Sequence, residues 1–323
     1  MMLFNKFPGR YSIYKYLVLF IAFTIFAGNV TNSFLLKWGF REDFEPPLVI
    51  AILEGVAKKP FVFRSVLPLM YLIVFWSFFV TLIFIYLIAD NLTKKGFKFS
   101  LLTTCLFSVI YPLTFQNGGY FYDFIELLGL FAGVYYFLSG RMFLSTFVLF
   151  LASFNKETTF LFALFLFFLY SQEKTIRYRI KWTSIQTTVC LVGYFYLQWR
   201  YASSPGNIVE KHLSENLLYW FNPISYIQFS NLIGKGVATP DMNSIFFLVP
   251  FLSWLKSGWS ISSSNRRYFL MSSFLVSFAL LFFFGFKNEI RNLSLAFPAF
   301  FIILVVGGNE FFDRIHNVDK KHI

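Results

Sequence analysis

The chain has 323 residues, of which 57% are hydrophobic and 14% charged, and a formal charge of +12. That much apolar surface exceeds what a soluble fold of this length can bury, so the bilayer must be its solvent. Cys105 and Cys190 sit in apolar runs, and His212, His316 and His322 lack ligand spacing, which argues against a disulfide framework or a Cys/His metal centre.

Apolar runs fall at about 14–36, 66–89, 100–115, 124–139, 142–154, 158–170, 183–199, 244–255, 268–286 and 293–308. The first follows Lys6, Arg10 and Lys15 as a secretory signal would, but it is longer than a signal core and more spans follow it, so it reads as a retained first span. Ten runs predict an all-α, polytopic transmembrane helix bundle of about ten spans, because a lipid-exposed segment must satisfy its backbone internally. The chain forms a single integral membrane domain over 1–323, with outer loops at 37–65 and 200–243 and a cytoplasmic tail at 309–323. In the first of these loops the Pro46–Pro47 pair opens a short amphipathic helix through about Ala57, suited to lie along the interface.

The positions of Lys and Arg set the direction. With the N-terminus inside, the inner segments hold seventeen Lys and Arg against five carboxylates, and the outer segments balance to zero. This pattern fits contact with anionic inner-leaflet lipid and gives no footprint for nucleic acid. It also requires 142–170 to fold as a hairpin of two short helices, since one long helix would carry Lys174, Arg177, Arg179 and Lys181 to the outer side. The N- and C-termini are then cytoplasmic, and the membrane is read as a bacterial inner membrane.

Polar residues converge on the outer side. A bare charge at mid-membrane costs about 3 kcal/mol on insertion scales, so charges beside apolar runs need a reason. The stretch "REDFE" supplies Glu42, Asp43 and Glu45, and Arg64 enters the second span. In "YDFIELL", Asp123 and Glu126 are three apart and share a helical face. The hairpin tip "FNKETT" carries Lys156 and Glu157, and the last outer turn, "KNEIRN", carries Glu289 and Arg291. Each cluster also has a plain structural reading: ion pairing at the tip, macrodipole preference for Asp123 and Glu126, snorkelling for Arg64, a solvated loop for "REDFE".

A pocket with carboxylates and cations suits group transfer from a lipid phosphate to a hydroxyl. Asp43, or failing that Glu42 or Glu45, would take the hydroxyl proton. Arg64, Lys156 and Arg291 would hold the phosphate, while Asp123, Glu126, Glu157 and Glu289 orient those cations and the sugar hydroxyls. No Walker loop, dinucleotide fingerprint or zincin helix occurs, so no cofactor is assigned, and a divalent metal ion stays open.

A first span, an acidic "REDFE" outer loop, an interfacial helix and many spans with polar tips together resemble the GT-C superfamily of polyprenyl-phosphate-dependent glycosyltransferases. The strings "KKPFVFRSVLP", "YDFIELL", "FNKETT" and "EIRN" also resemble those of bacterial polytopic proteins of similar size. The resemblance implies an inverting transferase whose first outer loop supplies the catalytic carboxylate, here Glu42, Asp43 or Glu45. It also implies a polyprenyl-phosphate-linked sugar as donor, within membrane lipid. The large soluble domain that many members carry after the spans has no counterpart in 309–323, which leaves room for a partner subunit. The alternative is a transporter or flippase for an anionic or lipid-linked solute.

Overall fold

The computed structural model describes residues 10–38, 70–94, 96–114, 121–156, 158–170, 173–200, 211–228, 241–285 and 290–319. Among them all regular structure is helical: α1 (Arg10–Trp38), α2 (Met70–Thr93), α3 (Phe97–Ile110), η1 (Tyr111–Thr114), α4 (Phe121–Leu138), α5 (Met142–Ser153), α6 (Thr159–Leu169), α7 (Ile176–Arg200), α8 (Leu213–Trp220), η2 (Pro223–Ile227), α9 (Met242–Ile261), α10 (Ser264–Phe284), η3 (Ile290–Ala296) and α11 (Phe297–Asp319), where η marks a 3-10 helix. Seven of the described helices are long and apolar enough to cross a membrane, so the chain is an integral membrane protein.

That number differs from the ten runs in the sequence, and the reasons are local. The hairpin arms α5 and α6 have 12 and 11 residues, roughly 18 and 16 Å of helix against a hydrocarbon core of about 30 Å. Helix α7 starts at Ile176, well before the apolar run at 183, because Arg177, Arg179 and Lys181 extend it without adding hydropathy. Helix α11 continues through Asp319 and takes most of the expected tail into its last turns. The expected interfacial helix at 46–57 lies outside the described residues.

The hairpin itself is present. Met142, at the start of α5, lies beside Tyr170, just past the end of α6, with the Tyr170 hydroxyl 3.8 Å from Met142 Sδ. Gly140 sets up its first arm: at φ 72° it lets Arg141 N donate to Tyr136 O (2.8 Å) and Gly140 N to Phe137 O (3.0 Å). That pair of bonds ends α4 in a Schellman turn and sends the chain back along it. Gly129 and Gly133 then allow close approach. A Cβ at Gly129 would stand 2.5 Å from Ala152 Cβ, and one at Gly133 would stand 2.8 Å from Leu149 Cδ2. Small residues spaced by four are the usual means of bringing two membrane helices together. The Ser145 hydroxyl donates to Gly133 O (2.9 Å) and fastens the same pair.

This packing carries the α5–α6 turn to the start of α4, at what we call the tip end of the bundle. Phe34 near the end of α1, Phe78 early in α2, Tyr111 of η1 and Phe124 early in α4 gather there. The Phe124 ring lies 5.1 Å from Phe34, 6.0 Å from Phe78 and 5.7 Å from Tyr111. Helix α9 leans on α11, where Gly258 meets the Ile303 carbonyl and Gly307 lies against Gly258.

Candidate functional site

Three elements meet at the tip end, each presenting polar groups by its own geometry. On α4, Asp123 and Glu126 face the same way because residues three apart lie on one side of an α-helix. On η3, Arg291 and Ser294 are also three apart, which in a 3-10 helix places one directly above the other. The α5–α6 turn supplies Lys156. Asn155 anchors this turn, its Nδ2 donating to Tyr122 O at the head of α4 (2.8 Å). The Thr159 hydroxyl donates to Lys156 O (2.8 Å) and closes it.

The side chains interlock. Lys156 Nζ stands 2.8 Å from Glu126 Oε2 and 3.9 Å from Asp123 Oδ1. Arg291 Nη1 donates to Asp123 Oδ2 (3.2 Å) and the Ser294 hydroxyl to Glu126 Oε2 (2.9 Å). Two anions and two cations therefore form one neutral network. Glu126 is wholly buried and Asp123 and Arg291 are each 4% exposed, whereas the Lys156 side chain keeps 17% of its surface open. Desolvating four charges costs several kcal/mol per ion unless each is matched, and here each is. Glu126 Oε1 accepts no hydrogen bond from the described residues, which leaves one acceptor position for a hydroxyl.

An apolar cavity of about 550 Å³ adjoins the network. Its wall comes from α3, η1, α9, α10, η3 and α11, with Phe107, Phe251, Phe274 and Phe300 among the larger side chains. Ile290 and Leu293 of η3 face it, while Arg291 and Ser294 of the same short helix face the charges. Tyr111 joins the two: its ring lines the cavity, and Asp123, Glu126 and Arg291 are its electrostatic neighbours.

Of the residues expected from the sequence, Asp123, Glu126, Lys156 and Arg291 thus come together. Glu42, Asp43, Glu45, Arg64, Glu157 and Glu289 lie outside the described residues. Sequence reasoning missed Ser294, Tyr111 and the anchoring role of Asn155. Only Ser294 left a trace, in its spacing of three from Arg291. Among the described residues no group of three or more His, Cys, Asp or Glu could hold a metal ion. Asp123 and Glu126 are already turned to cations, so metal ligands would have to include residues outside the described set.

Comparison with protein-family models, curated proteins and solved structures gives no match, and nothing among them identifies the GT-C superfamily.

Proposed function

We propose that this chain is a membrane glycosyltransferase that moves a sugar from a polyprenyl-phosphate donor to a hydroxyl acceptor at the tip end, on the outer face of a bacterial inner membrane. One observation carries the reading: η3 turns an apolar face to a hydrocarbon-sized cavity and a polar face to a cluster of cations and carboxylates. A lipid phosphate needs both environments side by side, one for the chain and one for the headgroup. Lys156, the one partly open member of the cluster, turns to the phosphate, and Arg291, held by Asp123, lends fixed positive charge where negative charge develops. Glu126 orients Lys156.

In the reaction a carboxylate, Asp43 or else Glu42 or Glu45, takes the proton of the acceptor hydroxyl. The acceptor oxygen bonds to the anomeric carbon from the face opposite the phosphate, the carbon–oxygen bond to phosphate breaks, and polyprenyl phosphate leaves with that electron pair. The configuration inverts. The acceptor arrives from the lipid phase or from a partner subunit.

The test is sugar transfer in membrane vesicles with a radiolabelled polyprenyl-phosphate sugar. Asp43→Asn with Glu42→Gln and Glu45→Gln abolishes transfer and spares donor binding, whereas Lys156→Ala or Arg291→Ala weakens donor binding. Full turnover in the carboxylate variants overturns the base assignment. The second reading, a transporter or flippase for an anionic or lipid-linked solute, draws on the depth and neutrality of the cluster. Uptake into proteoliposomes that depends on Lys156 with no glycosylated product would favour it.

A further inference from the structure

The segment between α7 and α9 returns as a strap made of α8 and η2, fixed at both ends. Asn216, fully buried, donates through Nδ2 to Leu281 O (3.2 Å), Phe282 O (2.9 Å) and Gly285 O (2.9 Å), and His212 N donates to Phe283 O (3.0 Å). These are carbonyls at the C-terminal end of α10, where a helix runs out of internal donors. At the far end Met242 N, the first residue of α9, donates to Gln228 O (3.0 Å). The Trp220 ring packs on Phe278 of α10 at 6.0 Å, and the Tyr226 hydroxyl donates to Trp220 O (2.7 Å), folding η2 back onto α8. The strap therefore joins the tip-end termini of α9 and α10, two of the helices that wall the apolar cavity.

Its other edge is apolar and open. Leu218, Phe221 and Ile227 are 77%, 73% and 69% exposed, and Leu217 and Ile224 are also exposed. Leu218 and Phe221, and then Ile224 and Ile227, recur at spacings of three through both short helices. Phe283 and Phe284 near the strap-bound end of α10, and Phe246 and Val249 near that of α9, are exposed too, on helices long and apolar enough to cross the bilayer. Glu215 and Lys211, the charged residues of this stretch, lie at its start and are exposed. An apolar edge held at the ends of two helices of spanning length, whose own exposed residues there are apolar, matches one environment: acyl chains just beneath the headgroups.

We infer that the α8–η2 strap is seated in the tip-end leaflet, with Leu217, Leu218, Phe221, Ile224 and Ile227 among the lipid chains, where it ties together the ends of two helices that wall the cavity. The partner of this surface is the bilayer itself. The inference stands apart from the proposed reaction, since a transporter could seat the same strap in the same way. Trp220 packs inward on Phe278, and aliphatic residues carry most of the exposed row.

Spin labels on single cysteines at 218, 221 and 224, with controls at 211 and 215, test it. The background is Cys105→Ser with Cys190→Ser, and the vesicles are phosphatidylethanolamine and phosphatidylglycerol. Lipid-soluble oxygen should outpace a water-soluble nickel chelate in collisions at 218, 221 and 224, and the order should reverse at 211 and 215. Nickel reaching 218 and 221 as readily as 215 overturns the proposal, as does exclusion of both agents, which would mean that protein covers the row. As a second measurement, Leu218→Asp with Phe221→Asp should speed hydrogen exchange across 213–228 in vesicles at least tenfold. Unchanged exchange overturns the seating too.

Discussion

Helices α4 and α9 both serve the tip end, yet 61% of the α4 span is buried inside the protein against 11% of the α9 span. Helix α4 carries two carboxylates and is clamped along its length by α2 and by the Gly129–Gly133 face against α5. Helix α9 walls a cavity with rings and aliphatic side chains and leans mainly on α11. The contrast follows from what each must hold. A charge network depends on distances of about 3 Å and steep angular preferences, so its walls must be rigid. Hydrocarbon attracts hydrocarbon without direction, so a wall for a chain can be loosely held.

Substitutions can break this contrast or sharpen it, and the largest effect belongs to the charged side. Asp123→Ala leaves Arg291 without its carboxylate in a buried setting and should cost about 3–5 kcal/mol, read as a drop in melting temperature in detergent. The paired change Asp123→Asn with Arg291→Gln should recover most of it. If Asp123→Ala melts like the native chain, the network does not hold the tip end together. Next comes Gly129→Val, which forces a branched side chain into Ala152 and should cost about 1–3 kcal/mol by the same measurement. Asn216→Ala removes the amide that serves three carbonyls. A loss of about 1–2 kcal/mol is expected, confined to faster hydrogen exchange over 213–228 and the end of α10. The smallest stability effect should come from α9. Leu248→Trp fills cavity space and should shift stability by less than about 1 kcal/mol. Under the proposed function it should also weaken binding of farnesyl phosphate about tenfold or more, a change of about 1.4 kcal/mol. A large melting shift with unchanged binding would show that α9 is a structural wall only.

The two regions were not equally legible in the sequence. Asp123 and Glu126 announced a shared face by their spacing, and the basic residues after position 173 demanded a hairpin, which placed Lys156 at its tip. Arg291 was visible as a charge between apolar runs. Ser294 showed only its spacing of three from Arg291, because one serine in an apolar stretch looks the same whether it caps, packs or donates to a carboxylate. The cavity left no trace at all: Phe251 facing a hollow and Phe283 exposed on the outside of the bundle obey the same hydropathy, and only three-dimensional packing separates them. Helix ends moved wherever polar residues extend a helix past its apolar stretch, as at Ile176 and Asp319.

The even count of signs at the tip end has an electrical consequence. A membrane potential does work on net charge, about 2.3 kcal/mol per elementary charge for each 100 mV crossed. Two anions and two cations, each within about 4 Å of an opposite charge, present it with only a compact multipole. Voltage therefore finds little lever on these four side chains, and gains one there when an arriving solute brings a sign of its own.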